Sequence, residues 1–232
     1  SSTTVTVTAD RDVTVTGAAQ DDAFAMIGSG SAFLRSGASL DSDVSVQADR
    51  NIALNGGTGA AEDSFALIGN GGSAHDVNFN TQGAITVNAT GDLSLTAGAG
   101  AGGNPISGTN NANFAQIGNG GQGNTGTHGV AGDDITVDAN NITLNGGSTT
   151  ESYAVIGSGG QNANGGHAAA IVINNNGGGG GAITLNGGTG ADAIAKIGHF
   201  GPTVQPITIA NSASIALNGG AGDCLLYTSP SP

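Results

Sequence analysis

Positive charge is almost missing from this chain: four Lys and Arg stand against seventeen Asp and Glu in 232 residues, a formal net charge of −13. That sign repels phosphate backbones and anionic headgroups, which argues against nucleic acid and against insertion into or onto a membrane. Cys224 is the sole cysteine, so no disulfide framework holds the fold. Tryptophan is absent and aromatic residues make up 3% of the chain, so the continuous core is expected to be built from Ile, Val, Leu and Ala. No apolar run approaches the roughly 20 residues that span a bilayer, and no signal peptide opens the chain. Charged residues are 9%, against about a quarter in an average soluble protein. Glycine, by contrast, supplies 44 residues. Such a content fits disorder only where regularly spaced Val, Ile and Leu are lacking, and here they run throughout.

The regularity centres on a phrase ending in Ile-Gly, written five times: Phe24-Ala25-Met26-Ile27-Gly28, Phe65-Ala66-Leu67-Ile68-Gly69, Phe114-Ala115-Gln116-Ile117-Gly118, Tyr153-Ala154-Val155-Ile156-Gly157 and Ile194-Ala195-Lys196-Ile197-Gly198. Its isoleucines lie 41, 49, 39 and 41 residues apart. A near-constant period of about 40 residues marks a repeat array. Before each phrase come two alternating segments. The first set is Val5-Thr6-Val7, Val44-Ser45-Val46, Ile85-Thr86-Val87, Ile135-Thr136-Val137, Ile171-Val172-Ile173 and Ile207-Thr208-Ile209. The second is Val13-Thr14-Val15, Ile52-Ala53-Leu54, Leu93-Ser94-Leu95, Ile142-Thr143-Leu144, Ile183-Thr184-Leu185 and Ile215-Ala216-Leu217. Period-2 alternation of β-branched residues with Thr or Ser predicts strands with one buried face.

Three short strands per repeat, each closed by Gly or Asn, predict an all-β parallel β-helix (β-solenoid) over residues 1–222, with five to six repeats. One coil per repeat stacks like segments on like; the rival parsing places two coils of about 20 residues in each repeat. Loops vary most after the Ile-Gly phrases and in the insert from Ala97 to Asn113, and Gly177 to Gly181 reads as a loose corner. The first residues already lie in the pattern, so the chain reads as a piece that continues into further coils. Residues 223–232 match nothing upstream, resemble translated sequencing-adapter read-through, and are set apart from the fold.

Candidate chemistry is sparse, and no catalytic constellation emerges, so the chain is expected not to be an enzyme and to need no cofactor. His75, His128, His167 and His199 all follow an Ile-Gly phrase, and His128 and His167 each lie eleven residues past their repeat's Ile. Stacking could bring those two together, but without Cys or a His-pair motif the expectation is solvated loop histidines and no metal. Aspartates at the corners (Asp10, Asp12, Asp49, Asp92, Asp138) read as turn formers, since the calcium-binding glycine-rich nonapeptide is absent. Arg11 and Arg50, each behind an Asp, read as a repeated salt-bridged turn.

The heads of the Ile-Gly phrases offer more. Phe24, Phe65, Phe114, Tyr153 and Ile194 would stack as a ladder on one face of the third strand. Alternation sends Ala and Ile inward and leaves the aromatics with Met26, Leu67, Gln116, Val155 and Lys196 on the other side. Because that set tolerates Lys it is expected to face water, which makes the ladder a candidate surface contact for glycans or protein; covering by loops, or a bulge that turns it inward, is the alternative.

Ile135-Thr136-Val137, then Asn141-Ile142-Thr143-Leu144-Asn145-Gly146-Gly147, then Tyr153-Ala154-Val155-Ile156-Gly157-Ser158-Gly159-Gly160 resembles the repeats of filamentous-haemagglutinin-type adhesins. The resemblance covers nearly all of residues 1–222 and is one of style, since β-solenoids converge on such patterns. It implies a right-handed helix, a secreted or bacterial cell-surface location, export by two-partner secretion, and adhesion to glycans or surface proteins of a host or neighbouring cell. A second expectation is a fragment of a carbohydrate-active β-helix whose site lies in other coils.

Overall fold

The computed structural model describes residues 3–20, 23–31, 36–58, 64–73, 78–99, 113–163, 165–175, 180–201 and 205–221. His75, most of the insert with Pro105, Gly177 to Gly179 and the 223–232 tail lie outside the described residues. The first repeat contributes β1 (Thr3–Ala9), β2 (Val13–Thr16) and β3 (Ala25–Ile27); the second β4 (Ser39–Ala48), β5 (Ile52–Asn55) and β6 (Ala66–Ile68). A short β7 (Asn80–Gln82) precedes β8 (Ile85–Ala89), β9 (Leu93–Thr96) and β10 (Ala115–Ile117). The fourth repeat gives β11 (Ile135–Ala139), β12 (Ile142–Asn145) and β13 (Ala154–Ile156), and the fifth β14 (Ile171–Asn175), β15 (Ala182–Asn186) and β16 (Ala195–Ile197). The last described strands are β17 (Ile207–Ala210) and β18 (Ser214–Asn218).

Three sheets result, ordered β1-β4-β8-β11-β14-β17, β2-β5-β9-β12-β15-β18 and β3-β6-β10-β13-β16. Each of these strands pairs in parallel with its equivalent one repeat away: Val44 with Ile85, Ile85 with Ile135, Ile135 with Ile171 and Ile171 with Ile207. The protein is a parallel β-solenoid with one coil per repeat, which decides against two. The alternation has its physical cause in the pleat, which sends successive side chains to opposite faces. Val46, Ile52, Leu54, Ile85, Leu95, Ile117, Ile142 and Ile156 are buried in one continuous core, while the Thr and Ser between them point out.

Corners repeat as well as strands. Between the first two sheets an alternating Asp/Asn column ties coil to coil: Asn51 Nδ2 donates to Asp12 Oδ1 (3.1 Å), the Asp92 amide to Asn51 Oδ1 (2.9 Å), Asn141 Nδ2 to Asp92 Oδ1 (2.7 Å) and the Ala182 amide to Asn141 Oδ1 (3.0 Å). The two that start at the Asp92 and Ala182 amides satisfy backbone groups that a bend leaves open, and the other two link side chain to side chain. Arg50 Nε lies 3.7 Å from Asp12 Oδ1, so the arginine corner is an exposed pair between coils and not a bridge to the adjacent Asp49. The backbone amide of Asn51, more than the charge of Arg50, holds the Asp12 carboxyl below its usual range.

The Ile-Gly corner is closer still. A Cβ on Gly118 would overlap the carbonyl of Gly157 in the next coil, and one on Gly69 the carbonyl of Gly118. Backbones stack here in direct contact, so any side chain would prise the coils apart. Ala25, Ala66, Ala115, Ala154 and Ala195 form the matching inward column of small residues, with Ile27, Ile68, Ile117, Ile156 and Ile197 beside them.

Candidate functional site

The outer face of the third sheet is covered. Among the described residues, chain that leaves the Ile-Gly corners lies over it and encloses a second apolar cluster of Phe65, Leu67, Phe114, Tyr153 and Val155, with Phe24, Met26, Ile194 and Phe200 at its margins. The aromatic rings form a true ladder. Phe24 and Phe65 stand 4.9 Å apart, Phe65 and Phe114 4.7 Å, and Phe114 and Tyr153 5.0 Å, with planes within 10° of parallel. That separation is the coil spacing itself, so the offset stack follows from the register. Phe200, tilted at 59°, caps Tyr153 where Ile194 leaves the ladder without a ring.

The expected contact ladder is therefore corrected. Phe65, Phe114 and Tyr153 are fully buried, and Phe24 and Ile194 half-buried. Leu67, Gln116 and Val155 beside them are buried too, so the Lys-tolerant column does not face water. The covering chain supplies the polar partners: Gln116 Nε2 donates to the carbonyls of Gly157 (3.0 Å) and Gly159 (2.8 Å), and Lys196 Nζ to that of His199 (2.6 Å) while lying 4.7 Å over the Phe200 ring. A buried amide or ammonium is tolerable where backbone carbonyls receive it.

The residue after each Ile-Gly builds a polar column beneath this cover. Asn70 Nδ2 donates to the carbonyls of Ser42 (2.6 Å) and Gln82 (2.8 Å), and Asn119 Nδ2 to that of Gly83 (2.8 Å). Their Oδ1 atoms accept the backbone amides of Ser29 and Asn70, each at 3.1 Å. Ser158 and His199 continue the column, the Ser158 amide donating to His199 Nδ1 at 2.9 Å.

Three of the four histidines meet at the edge of the cover. His128 stacks on His167 at 5.1 Å and His167 on His199 at 5.3 Å, with ring planes 25° and 15° apart. All three are buried, which corrects the expectation of solvated loop histidines. Bare backbone makes room for them: a Cβ on Gly120 would stand 2.7 Å from His128 Nδ1, and one on Gly159 2.7 Å from His167 Cε1. The network also fixes the tautomer at both ends. Asn124 Oδ1 receives the amides of Gly126 (2.9 Å) and Phe79 (3.3 Å), so its Nδ2 must be the group 3.2 Å from His128 Nδ1. His128 Nδ1 accepts there and from Thr81 Oγ1 (3.1 Å), and Nε2–H donates to the Asn124 carbonyl (3.3 Å). His199 likewise accepts at Nδ1. Burial, reinforced by the neighbouring His167, pushes His128 down to about 3 and His199 to about 4; burial also lowers His167 and Lys196.

The spacing of eleven residues signalled the His128–His167 pair. His199 gave no such signal, because it lies two residues past Ile197 and reaches the stack from the polar column. Among the described residues no group of three or more His, Cys, Asp or Glu is arranged to hold a metal ion. No described helix is long and apolar enough to cross a membrane. The outward columns of the second sheet carry Thr14, Ala53, Ser94, Thr143, Thr184 and Ala216 beside Thr16, Asn55, Thr96, Asn145, Asn186 and Asn218, without one ionisable side chain. Asn145, Asn186 and Asn218 hydrogen-bond in series along that face. Neither a protein-family model, nor a curated protein, nor a solved structure matches the chain.

Proposed function

We propose that this chain is a rod segment of a secreted or cell-surface bacterial adhesin, with a structural and adhesive role and no catalysis. The observation that carries the reading is the in-register stacking of like residues through all the described coils. Such a stack is quasi-one-dimensional: each coil buries its apolar edge only on its neighbours, so length can grow without a new fold. Ile215 and Leu217, whose equivalents are buried, are 51% and 42% exposed on β18, the edge that a further coil of the same chain would cover. Parallel ladders and a continuous aliphatic core give stiffness, and the acidic surface limits unspecific association. With the aromatic ladder covered, the faces left for glycans or surface proteins are the outward Thr, Ser and Asn columns of the first two sheets.

Binding of the labelled chain to a glycan array and to whole cells tests the adhesive part, and the intact gene tests the rod. Retention on glycans or cells, together with a gene of many similar coils, supports the reading. A compact helix of about a dozen coils carrying a carboxylate cluster, or depolymerisation of a polysaccharide by the protein, overturns it in favour of a carbohydrate-active β-helix.

A further inference from the structure

We propose that the His128–His167–His199 stack is an acid-sensitive latch: protonation frees the covering segments 119–129, 158–163 and 165–169 and uncovers the aromatic ladder, while the three-sheet core stays folded. The geometry carries this. Each end ring presents Nδ1 to a donor, the Asn124 amide for His128 and the Ser158 amide for His199, so a proton added at Nδ1 turns an accepted hydrogen bond into two opposed donors. His128 joins its segment to β7 and Phe79 through Thr81 and Asn124, and parallel bridges run from Thr81 to His128 and from His128 to His167. Loss of the ring contacts therefore unties the cover at its edge.

The electrostatics point the same way. The groups packed on the stack are Thr81 and Asn124 from the cover, Gly120, Ser158 and Gly159 from the corners, Phe200, and Lys196 from β16. Among the described residues, the charges that shift the three rings are those of one another and of Lys196, all of one sign. Imidazolium ions about 5 Å apart repel, and water entering between them is the available relief. The described main core consists of Val, Ile, Leu and Ala alone, so acid in this range leaves it intact.

Hydrogen exchange read by mass spectrometry on the whole chain from pH 7 to pH 4.5, corrected for the intrinsic pH dependence, tests the latch. Between pH 6.5 and 5.5 the opening constant of segments 119–129, 158–163 and 165–169 should rise at least tenfold, reversibly, with β8, β11 and β12 unchanged and a hydrophobic dye binding as the cover lifts. His128→Gln with His167→Gln should cut that rise to the roughly fivefold that His199 alone supplies. Should the double variant fold poorly, nitrogen NMR of the imidazoles in the unaltered chain decides the same question: neutral Nε2–H rings at pH 7 should charge together with the loss of cover. Rings that charge while the cover keeps its protection, exchange that rises equally in the cover and the three sheets, or no rise down to pH 4.5 each overturn the proposal.

Discussion

Two glycines with almost the same backbone separate strain from close approach. Gly120 has φ 103° and Gly132 φ 99°, a region that L side chains rarely adopt. A Cβ on Gly132 meets nothing within 4 Å, whereas one on Gly120 meets His128 Nδ1 at 2.7 Å, His128 Cγ at 2.9 Å and the Gly159 amide nitrogen at 3.0 Å. Both alanine variants bear the dihedral strain, about 1–3 kcal/mol. Only Gly120→Ala must also move a fully buried ring that makes hydrogen bonds with Thr81 and Asn124. Each such bond contributes about 0.5–1.5 kcal/mol net, and forcing extra volume into a packed site costs about 1–3 kcal/mol. Gly120→Ala should therefore lose about 2–6 kcal/mol more than Gly132→Ala. For a chain of this size a kcal/mol moves Tm by roughly 2–4 °C, so the two melting curves should part by about 4–24 °C at pH 7.5, where the rings are neutral. Coincident curves would mean that His128 does not rest on the Gly120 backbone, and the packing of the cover would have to be redrawn.

Ile117→Asp should bury an unpaired charge between Ile68 and Ile156 and cost several kcal/mol by thermal melting; a parental Tm would mean that Ile117 is not in the core. Phe114→Ala removes the central rung of the covered ladder and should cost about 3–5 kcal/mol in denaturant unfolding, with a value below about 1 kcal/mol marking a solvent-exposed ring instead. Stability should also follow pH with a definite sign. The folded values of His128 and His199 (about 3 and about 4) lie below the usual 6.5, so unfolding takes up protons below pH 6.5. Their stabilising contribution is whole above that pH and falls by about 1.4 kcal/mol per unit for each ring down to the folded value. At pH 5 the two rings together should have lost about 4 kcal/mol, and a urea midpoint that is flat from pH 7 to 5 would contradict it.

Period-2 alternation placed the main strands of the first two sheets, because a pleated strand with one buried face writes its geometry directly into the chain, and the recurrence of the Ile-Gly phrase placed those of the third. Val44-Ser45-Val46 and Ile142-Thr143-Leu144 could hardly be read otherwise. The cover was not legible. β7 and the extension of β4 at Ser39–Asp41 pair with each other through Leu40 and Thr81, and neither segment alternates apolar residues over enough length to show. Gln116 and Lys196 misled for a different reason. Their polarity is matched by carbonyls of glycines and of His199, and a backbone acceptor leaves no mark in a sequence. The histidines were legible as a spacing but not as buried groups, because the glycines that admit them read as loop.

The two cores of this solenoid are built from different forces and should answer to different perturbations. In the three-sheet core, aliphatic rungs repeat at every coil and no rung needs a partner of its own kind, so the loss of one leaves the stacking of the others intact. The covered core depends on particular polar matches: Asn70 to the Gln82 carbonyl, Asn119 to the Gly83 carbonyl, Ser158 to His199. Asn70 thereby ties the end of β6 to the chain that begins the next coil, Asn119 ties the end of β10 to the chain that begins its own, and Ser158 ties the end of β13 to the third-sheet corner of the next coil. Satisfied networks of this kind hold one conformation strongly, and a single protonated or missing member leaves its partners buried and unpaired. On the proposed latch, the solenoid sheds its cover while its three sheets stay stacked, so its surface changes and its length does not.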